Sequence, residues 1–160
     1  MDEIVAPTDT EPAVAPSDLA RLLVIADEAS KQHRPLAARE LNALCYLLRA
    51  DPEADVLGCS YRHRFSPGPT SGEFETDLAQ LEASGYAERR SPVTVSTRGL
   101  AWLDEASRAP AVKHLRAIAQ RVLPKYLRER DLVAKSMKRS QEITQEALER
   151  DLAEIARLGA

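Results

Sequence analysis

Apolar residues recur at helical spacing in two stretches near the start of the chain. In residues 17–31 they follow one helix face, and Ser17 is a suitable N-cap with Asp18 in the first turn. A second helix is predicted to begin at Pro35, which suits a first helical turn. Its apolar stripe repeats at intervals of one, three and four residues through Ala37, Leu41, Leu44, Cys45 and Leu48.

The middle of the chain alternates between extended and helical patterns. Residues 56–65 carry aromatic side chains among polar ones, which predicts an extended segment, and a turn rich in Pro and Gly follows. Thr70-Ser71-Gly72-Glu73 has the Thr-x-x-Glu form of a capping box and opens a third helix. Gly85 is suited to end that helix.

Two short strands, residues 86–89 and 93–96, then predict a hairpin, and Thr97 is expected to cap a fourth helix. The order helix, helix, extended segment, helix, two-stranded wing, helix is that of a winged helix-turn-helix domain. The predicted fold is therefore mainly α with a small β-wing, in which a winged helix-turn-helix core is followed by C-terminal helices. We assign residues 17–108 to this core.

The two ends of the chain differ from the core in composition. Residues 1–16 are acidic, rich in Pro and Ala, and without periodicity, which predicts a disordered tail. Residues 109–160 are predicted to form basic and then amphipathic helices that serve for dimerisation or partner docking. Pro124 is expected to kink or split them, and Ser140 to cap a last helix. The apolar residues of that last helix keep a 4-3 spacing: Leu148, Leu152 and Ile155.

Composition and charge narrow the class of protein. The chain has 160 residues, of which 44% are hydrophobic and only 4% aromatic, which favours an aliphatic, helical core. The sequence has no secretory signal pattern, no transmembrane-length apolar run and only two cysteines, so we expect a cytoplasmic protein. The net charge of −3 conceals an acidic start and a basic stretch, residues 113–139, with nine basic and two acidic residues.

The basic stretch allows three interpretations that the residues leave open. It is a solvated helix face that pairs with the acidic tail or the acidic third helix, a surface that follows phosphates, or a surface for an acidic protein.

A set of motifs between residues 65 and 99 resembles a known family. An aromatic residue precedes a Gly-Pro turn, a helix of the form Asp-Leu-x-x-Leu ends in Gly, and a Thr-x-Gly step closes the hairpin: Phe65, Gly68-Pro69, Asp77-Leu78, Leu81, Gly85-Tyr86 and Thr97-Arg98-Gly99. Over residues 19–104 the chain thus resembles the phage-associated, proteolysis-adaptor antitoxins of winged-helix type (Panacea-like), and its wing resembles that of PadR-type regulators. The resemblance implies binding of a toxin, a protease-adaptor surface or DNA, without catalytic residues.

The chain departs from this family pattern in two places. Thr70 stands between the Gly-Pro pair and Ser71 where the family has an aromatic residue. Val95-Ser96 stands where a Leu usually precedes the Thr. What carries over from the resemblance is therefore partner binding in general.

Motifs for catalysis or for a cofactor are missing from the sequence, which has no Gly-rich phosphate loop, no Gly-x-Ser-x-Gly and no His-Glu-x-x-His. Cys59 and His63 share a face of the predicted extended segment, but about 13 Å of strand separates them, too far for two ligands of one zinc ion. Cys45 lies on an apolar stripe and is predicted to be a core residue. We expect no enzymatic activity, no cofactor and no metal.

The charge of the third helix distinguishes the remaining partner classes. A winged-helix domain that reads DNA usually places this helix in the major groove and presents Arg, Lys, Asn or Gln to the bases. Residues 71–84 contain no basic residue, and their carboxylates would be repelled by phosphate. We therefore expect a protein partner, bound by the acidic residues of this helix: Glu73, Glu75, Asp77 and Glu82.

The alternative is a DNA-binding transcriptional regulator of winged-helix type that is dimeric through its C-terminal helices. Its contacts with nucleic acid would come from the extended segment, the wing and the basic stretch. The residues concerned are Arg62, Arg64, Arg89, Arg90, Arg98, Lys113, Arg116, Arg121 and Lys125.

Overall fold

The computed structural model describes residues 17–65 and 68–159, so the predicted tail, residues 1–16, lies outside the described residues. Within these ranges the chain forms six α-helices and two small antiparallel sheets. The helices are α1 (Asp18–Lys31), α2 (Ala38–Arg49), α3 (Gly72–Ala83), α4 (Thr97–Ala106), α5 (Pro110–Leu127) and α6 (Leu132–Gly159). The strand pairs are β1 (Arg64–Phe65) with β2 (Pro69–Thr70), and β3 (Ala87–Glu88) with β4 (Thr94–Val95).

The coarse prediction of a mainly helical protein with a small β component is confirmed. The predicted hairpin after the third helix is present as β3 and β4, in the register that pairs Ala87 with Val95. Among the helices that the structure describes, none is both long enough and apolar enough to cross a membrane.

Serine hydroxyls cap three of the helices. Ser17, Ser71 and Ser96 each accept a backbone N–H from the first turn of α1, α3 and α4, respectively. The prediction for Ser17 is confirmed, whereas capping by Thr70 and Thr97 is wrong by one residue in each case.

The predicted start of the second helix is also wrong, because α2 begins at Ala38 and not at Pro35. The carboxylate of Glu40 accepts the backbone N–H of Ala37 at 3.1 Å, which satisfies an N–H group at the helix entrance. The local preference of proline for a first turn does not decide the helix start here.

Residues 56–65 are extended only at their end, which corrects the prediction of one continuous extended segment. A 3₁₀ helix, Asp55–Leu57, leads into an irregular segment before β1. Gly58 brings this segment against α2, because a Cβ at that position would lie 2.4 Å from the Cα of Arg49. The guanidinium of Arg49 in turn donates to the backbone carbonyl of Tyr61 at 2.8 Å.

One hydrophobic core extends from α1 to the start of α6. α5 packs against α1, and α6 packs against α2. Leu115 and Leu123 of α5 and Leu132 of α6 are fully buried in the same cluster as the leucines of α1 and α2. The boundary assigned after residue 108 therefore falls inside a shared core.

The C-terminal helices divide at a different place from the one predicted. α5 continues through Pro124 to Leu127, so the helix is not split at that residue, and α6 continues through Ser140, so the predicted cap at Ser140 is wrong. The chain turns at residues 128–131, where a carboxylate oxygen of Asp131 accepts the backbone N–H of Ala134 and caps α6.

Candidate protein-binding surface around α3

α3 has one buried face and one exposed face. Phe74, Leu78 and Leu81 of α3 are buried in the core. The opposite face carries small or uncharged side chains, all exposed, which we call the α3 ridge: Thr76, Ala79, Gln80 and Ala83. At 3.6 residues per turn these four positions form one strip along the helix. The four predicted partner-binding carboxylates therefore lie beside the α3 ridge and not on it.

Two of these carboxylates face the segment that precedes β1. Glu73 Oε1 accepts the backbone N–H of Arg62 at 2.6 Å, and Asp77 Oδ2 accepts the hydroxyl of Tyr61 at 2.8 Å. Burial raises the pKa of the Tyr61 hydroxyl, and the hydrogen bond to Asp77 raises it further, so Tyr61 remains a donor at neutral pH. Glu73 and Asp77 thus fasten this segment to α3.

The other two carboxylates lie on the side of the β3–β4 hairpin. Glu75 Oε1 contacts a guanidinium nitrogen of Arg89 at 2.6 Å, and this hydrogen bond raises the pKa of Arg89. Arg90 lies 3.7 Å from Glu88 within the hairpin. Glu82 is exposed near the end of α3. On the side of the hairpin, as on the side of the cleft, carboxylates and guanidinium groups therefore lie next to one another.

The arginines predicted for nucleic-acid contact lie on both sides of the α3 ridge. Arg62 and Arg64, with Asp18, Glu73 and Asp77, line an open cleft of about 1010 Å³, which therefore holds three carboxylates and two guanidinium groups. Arg89 and Arg90 lie across the ridge on the hairpin. Arg98 is placed over the ring of Tyr86, with its guanidinium carbon 5.1 Å from the ring centroid.

The predicted contacts in the basic stretch do not share one environment. Arg116 is largely buried and donates to Asp27 at 2.8 Å and to Glu28 at 3.4 Å. Lys125 pairs with Asp51 at 3.0 Å. The carboxylates that balance Arg116 and Lys125 thus come from α1 and from the residues after α2, not from α3. The remaining two predicted residues, Lys113 and Arg121, are exposed on α5.

The cysteine and histidine side chains considered for metal binding are buried or hydrogen-bonded within the fold. Cys45 and Cys59 are free and buried. His63 Nε2 lies 2.7 Å from Asn42 Oδ1, and Asn42 Nδ2 donates to the carbonyl of Pro69 at 3.3 Å. Across the described ranges, no three His, Cys, Asp or Glu side chains come together in a way that could hold a metal ion.

The role of Asn42 could not be predicted from the sequence. This buried side chain joins α2 to β2 and orients His63, yet in the sequence it is a polar residue within a helical stripe. The only local signal for such a contact is a polar residue among the apolar residues of an amphipathic helix.

Comparison with known proteins identifies no family for this chain. No protein-family model matches it, and neither a curated protein nor a solved structure matches it.

Proposed function

We propose that this chain is a non-catalytic winged-helix protein of antitoxin-like or adaptor-like type that engages another protein through the surface around α3. In this proposal α1, α2 and α3 form the helical part of the domain, the β3–β4 hairpin is the wing, and α4 closes the domain. The order of the elements along the chain supports this arrangement.

Gly99 supports the proposed position of α4 against the wing. A Cβ at Gly99 would lie 2.1 Å from the carbonyl oxygen of Tyr86 and 2.6 Å from Cγ1 of Val95. Only glycine therefore lets α4 begin directly against the hairpin. The glycine of the Thr97-Arg98-Gly99 step thus has a structural reason in this protein.

The observation that carries the proposal is the near balance of charge around an uncharged α3 ridge. Binding to a polyanion depends on an excess of positive charge, because affinity comes largely from neutralised phosphates. The cleft beside α3 instead holds more carboxylates than guanidinium groups. Small side chains such as Thr76 and Ala79 let a partner approach closely, and a mixed polar rim is typical of protein interfaces.

Site-specific photo-crosslinking tests the proposal. Benzoylphenylalanine in place of Ala79 is expected to capture one protein when the full chain is expressed in its native host. Adding Thr76→Arg should lower that yield at least about tenfold, since burying an unpaired charge in an interface costs several kcal/mol. The matched control replaces Ala101, which is exposed on α4.

Three outcomes would contradict the proposal. They are adducts with nucleic acid, the same adducts from positions 79 and 101, and no adduct from position 79.

A charge-reversal variant gives a further test of partner binding. Among the carboxylates of α3, Glu82 is suitable for it, because Glu82 is exposed. Glu73 and Asp77 are unsuitable, because they hold Arg62 and Tyr61 in place and their loss would also disturb the fold.

A DNA-binding regulator is the second candidate function. The observation that favours it is the α3 ridge itself, where Thr76 and Gln80 are side chains able to contact base edges. Arg64 and Arg90 lie on opposite sides of this ridge, where the phosphates beside a major groove would lie.

Mobility shifts of duplex DNA test this second candidate. Replacing Thr76 and Gln80 by Ala should relax sequence preference, whereas replacing Arg64 and Arg90 by Ala should weaken binding to all sequences and reduce its salt dependence. A chain that ignores duplex DNA at low salt is not such a regulator.

A further inference from the structure

The last part of α6 forms a helical arm, residues 141–159, that lies outside the core. α6 buries Leu132, Val133 and Ser136 near its start. In the arm, by contrast, only Ile143 and Ala147 are even partly covered. Four large apolar side chains of the arm are 50% to 76% exposed: Leu148, Leu152, Ile155 and Leu158. Covering such a set stabilises an assembly by about 25 cal/mol per Å² of apolar surface.

Three of the four exposed apolar side chains follow a heptad pattern, and the fourth, Leu158, takes a g position beside the seam. With Leu148 and Ile155 at the d positions, Leu152 takes an a position. The same register places two polar residues in the seam, Gln141 at d and Gln145 at a. The outer face, furthest from the seam, carries the charged residues Glu146, Arg150 and Arg157, together with the partly covered Ile143.

We propose that the arm pairs with the arm of a second copy of this chain, as a parallel two-stranded coiled coil. In a parallel pair each seam residue meets its own counterpart. Leu148, Leu152 and Ile155 then form apolar layers. Gln145 meets Gln145 of the second copy, and each side-chain amide can donate to and accept from the other.

Antiparallel pairing is possible in two registers, and both match these layers less well. With Leu152 opposite Ile155, Leu148 lies opposite Gly159 and loses its apolar partner. If Leu148 lies opposite Leu152 in an antiparallel pair, Gln145 lies opposite Ile155. That arrangement places a polar amide against an apolar side chain, which leaves the amide without a partner. The order of polar and apolar layers in the arm therefore favours the parallel orientation.

The charges beside the seam favour the same orientation. In a parallel coiled coil a g residue faces the e residue five positions later in the partner helix. Asp151 then faces Ala156, and Thr144 faces Glu149, so no two like charges meet. In the antiparallel pair with Leu148 opposite Leu152, Asp151 would face Asp151 and Glu149 would face Glu149, and both contacts are repulsive.

Disulfide trapping tests the orientation directly. The native thiols are buried, so Gln145→Cys supplies the accessible thiol. With diamide as oxidant, the purified full chain carrying Gln145→Cys is expected to become mostly covalent dimer. Arg150→Cys, on the outer face of the same helix, is the matched control and should remain monomeric.

Two results of the trapping experiment would overturn the proposal. One is equal cross-linking of the two variants. The other is cross-linking that requires a mixture of Gln145→Cys with Ile155→Cys, which is the result for antiparallel arms.

Molar mass from light scattering provides the second measurement. The full chain at high concentration is expected to have twice the monomer mass. Leu152→Asp should restore the monomer mass, because it places two carboxylates in one layer of the seam. Ala153→Asp, on the exposed outer side of the arm, should leave the mass doubled. A wild-type chain that is monomeric at all concentrations, or a dimer that survives Leu152→Asp, contradicts the pairing.

Discussion

Two glycines determine how closely neighbouring elements approach in this fold. Gly58 lies against the backbone of α2 at Arg49, and Gly99 lies against the carbonyl of Tyr86. At both positions a larger residue would clash with the neighbouring backbone. Gly85 differs, because its φ of +78° is the left-handed conformation that suits the end of α3.

Gly99→Ala is expected to lower the free energy of unfolding by about 1–3 kcal/mol, since the added methyl group forces the hairpin and α4 apart. Urea denaturation measures this change. Gly72→Ala is the matched control, because nothing lies within 4 Å of a Cβ at that helical position. Equal stability of the two variants would mean that the contact between α4 and the hairpin is looser than described.

His63 is held neutral by its surroundings. Because Asn42 Nδ2 donates to Pro69, Asn42 Oδ1 is the acceptor for His63, and the ring proton lies on Nε2. Nδ1 is buried and has no hydrogen-bond partner within the described ranges. Burial is the main cause that lowers the pKa of His63 from its ordinary value, and the charge of Arg49 lowers it further.

The stability of the protein should therefore fall as the pH drops below about 6.5, the ordinary pKa of histidine. Below that pH the unfolded chain binds a proton at His63 that the folded chain does not, so acid favours unfolding until the folded-state pKa is reached. Urea midpoints across this pH range measure the effect. His63→Gln is expected to flatten the pH dependence, and an unchanged pH profile would contradict the account of His63.

The contact between α1 and α5 depends on a buried ion pair. Arg116 is 14% exposed and reaches Asp27 and Glu28, which are 8% and 3% exposed. Lys31 also approaches Asp27, at 3.3 Å, from the last turn of α1. This arrangement makes Arg116 part of the fold and removes it from the surface that a nucleic acid could contact.

Arg116→Ala is expected to destabilise the protein by about 3 kcal/mol, because it leaves two carboxylates buried without their main partner. Thermal and urea unfolding measure the loss. Arg108→Ala should leave the unfolding midpoint unchanged, since both Arg108 and its partner Glu105 are exposed. If both substitutions had the same small effect, the ion pair of Arg116 with Asp27 and Glu28 would not stabilise the contact between α1 and α5.

The elements were predictable where their signals are local. The apolar spacing of α1 and α2, the serine at position 17 and the hairpin after Gly85 needed only neighbouring residues. The continuation of α5 through Pro124 was not predictable, because packing against α1 outweighs the local penalty of proline. The carboxylates of α3 were identified, but their pairing with Arg89 and with the Arg62 backbone depends on residues distant in sequence.

At the scale of the whole molecule, the C-terminal helices share one core with residues 17–108. The core includes Leu115, Leu123 and Leu132, which belong to α5 and α6. The arm, in contrast, contributes no buried residue.

A chain that ends at Ser140 is therefore expected to keep cooperative unfolding, whereas a chain that ends at Arg108 should lose it. Without α5 and α6 the apolar faces of α1 and α2 are exposed to water, which removes much of the stabilising burial. Circular dichroism during a urea titration distinguishes the two chains. Cooperative unfolding of the shorter chain would show that residues 17–108 form an independent core.

The distribution of charge around α3 underlies the proposed function. Exposed arginines and carboxylates alternate around α3, and the basic residues Arg116 and Lys125 are balanced by acidic residues of the body. Around α3 this arrangement leaves no excess of positive charge for a phosphate backbone to neutralise. It can be recognised by a protein with a complementary mixed pattern.

The measurement that tests this account most directly is a fluorescence-anisotropy titration of the full chain into labelled genomic duplex fragments at low salt. The account predicts no saturable binding, because the surface around α3 has no excess of positive charge. Saturable binding that weakens steeply with added salt, and that is lost when Arg64 and Arg90 are replaced by Ala, would contradict it.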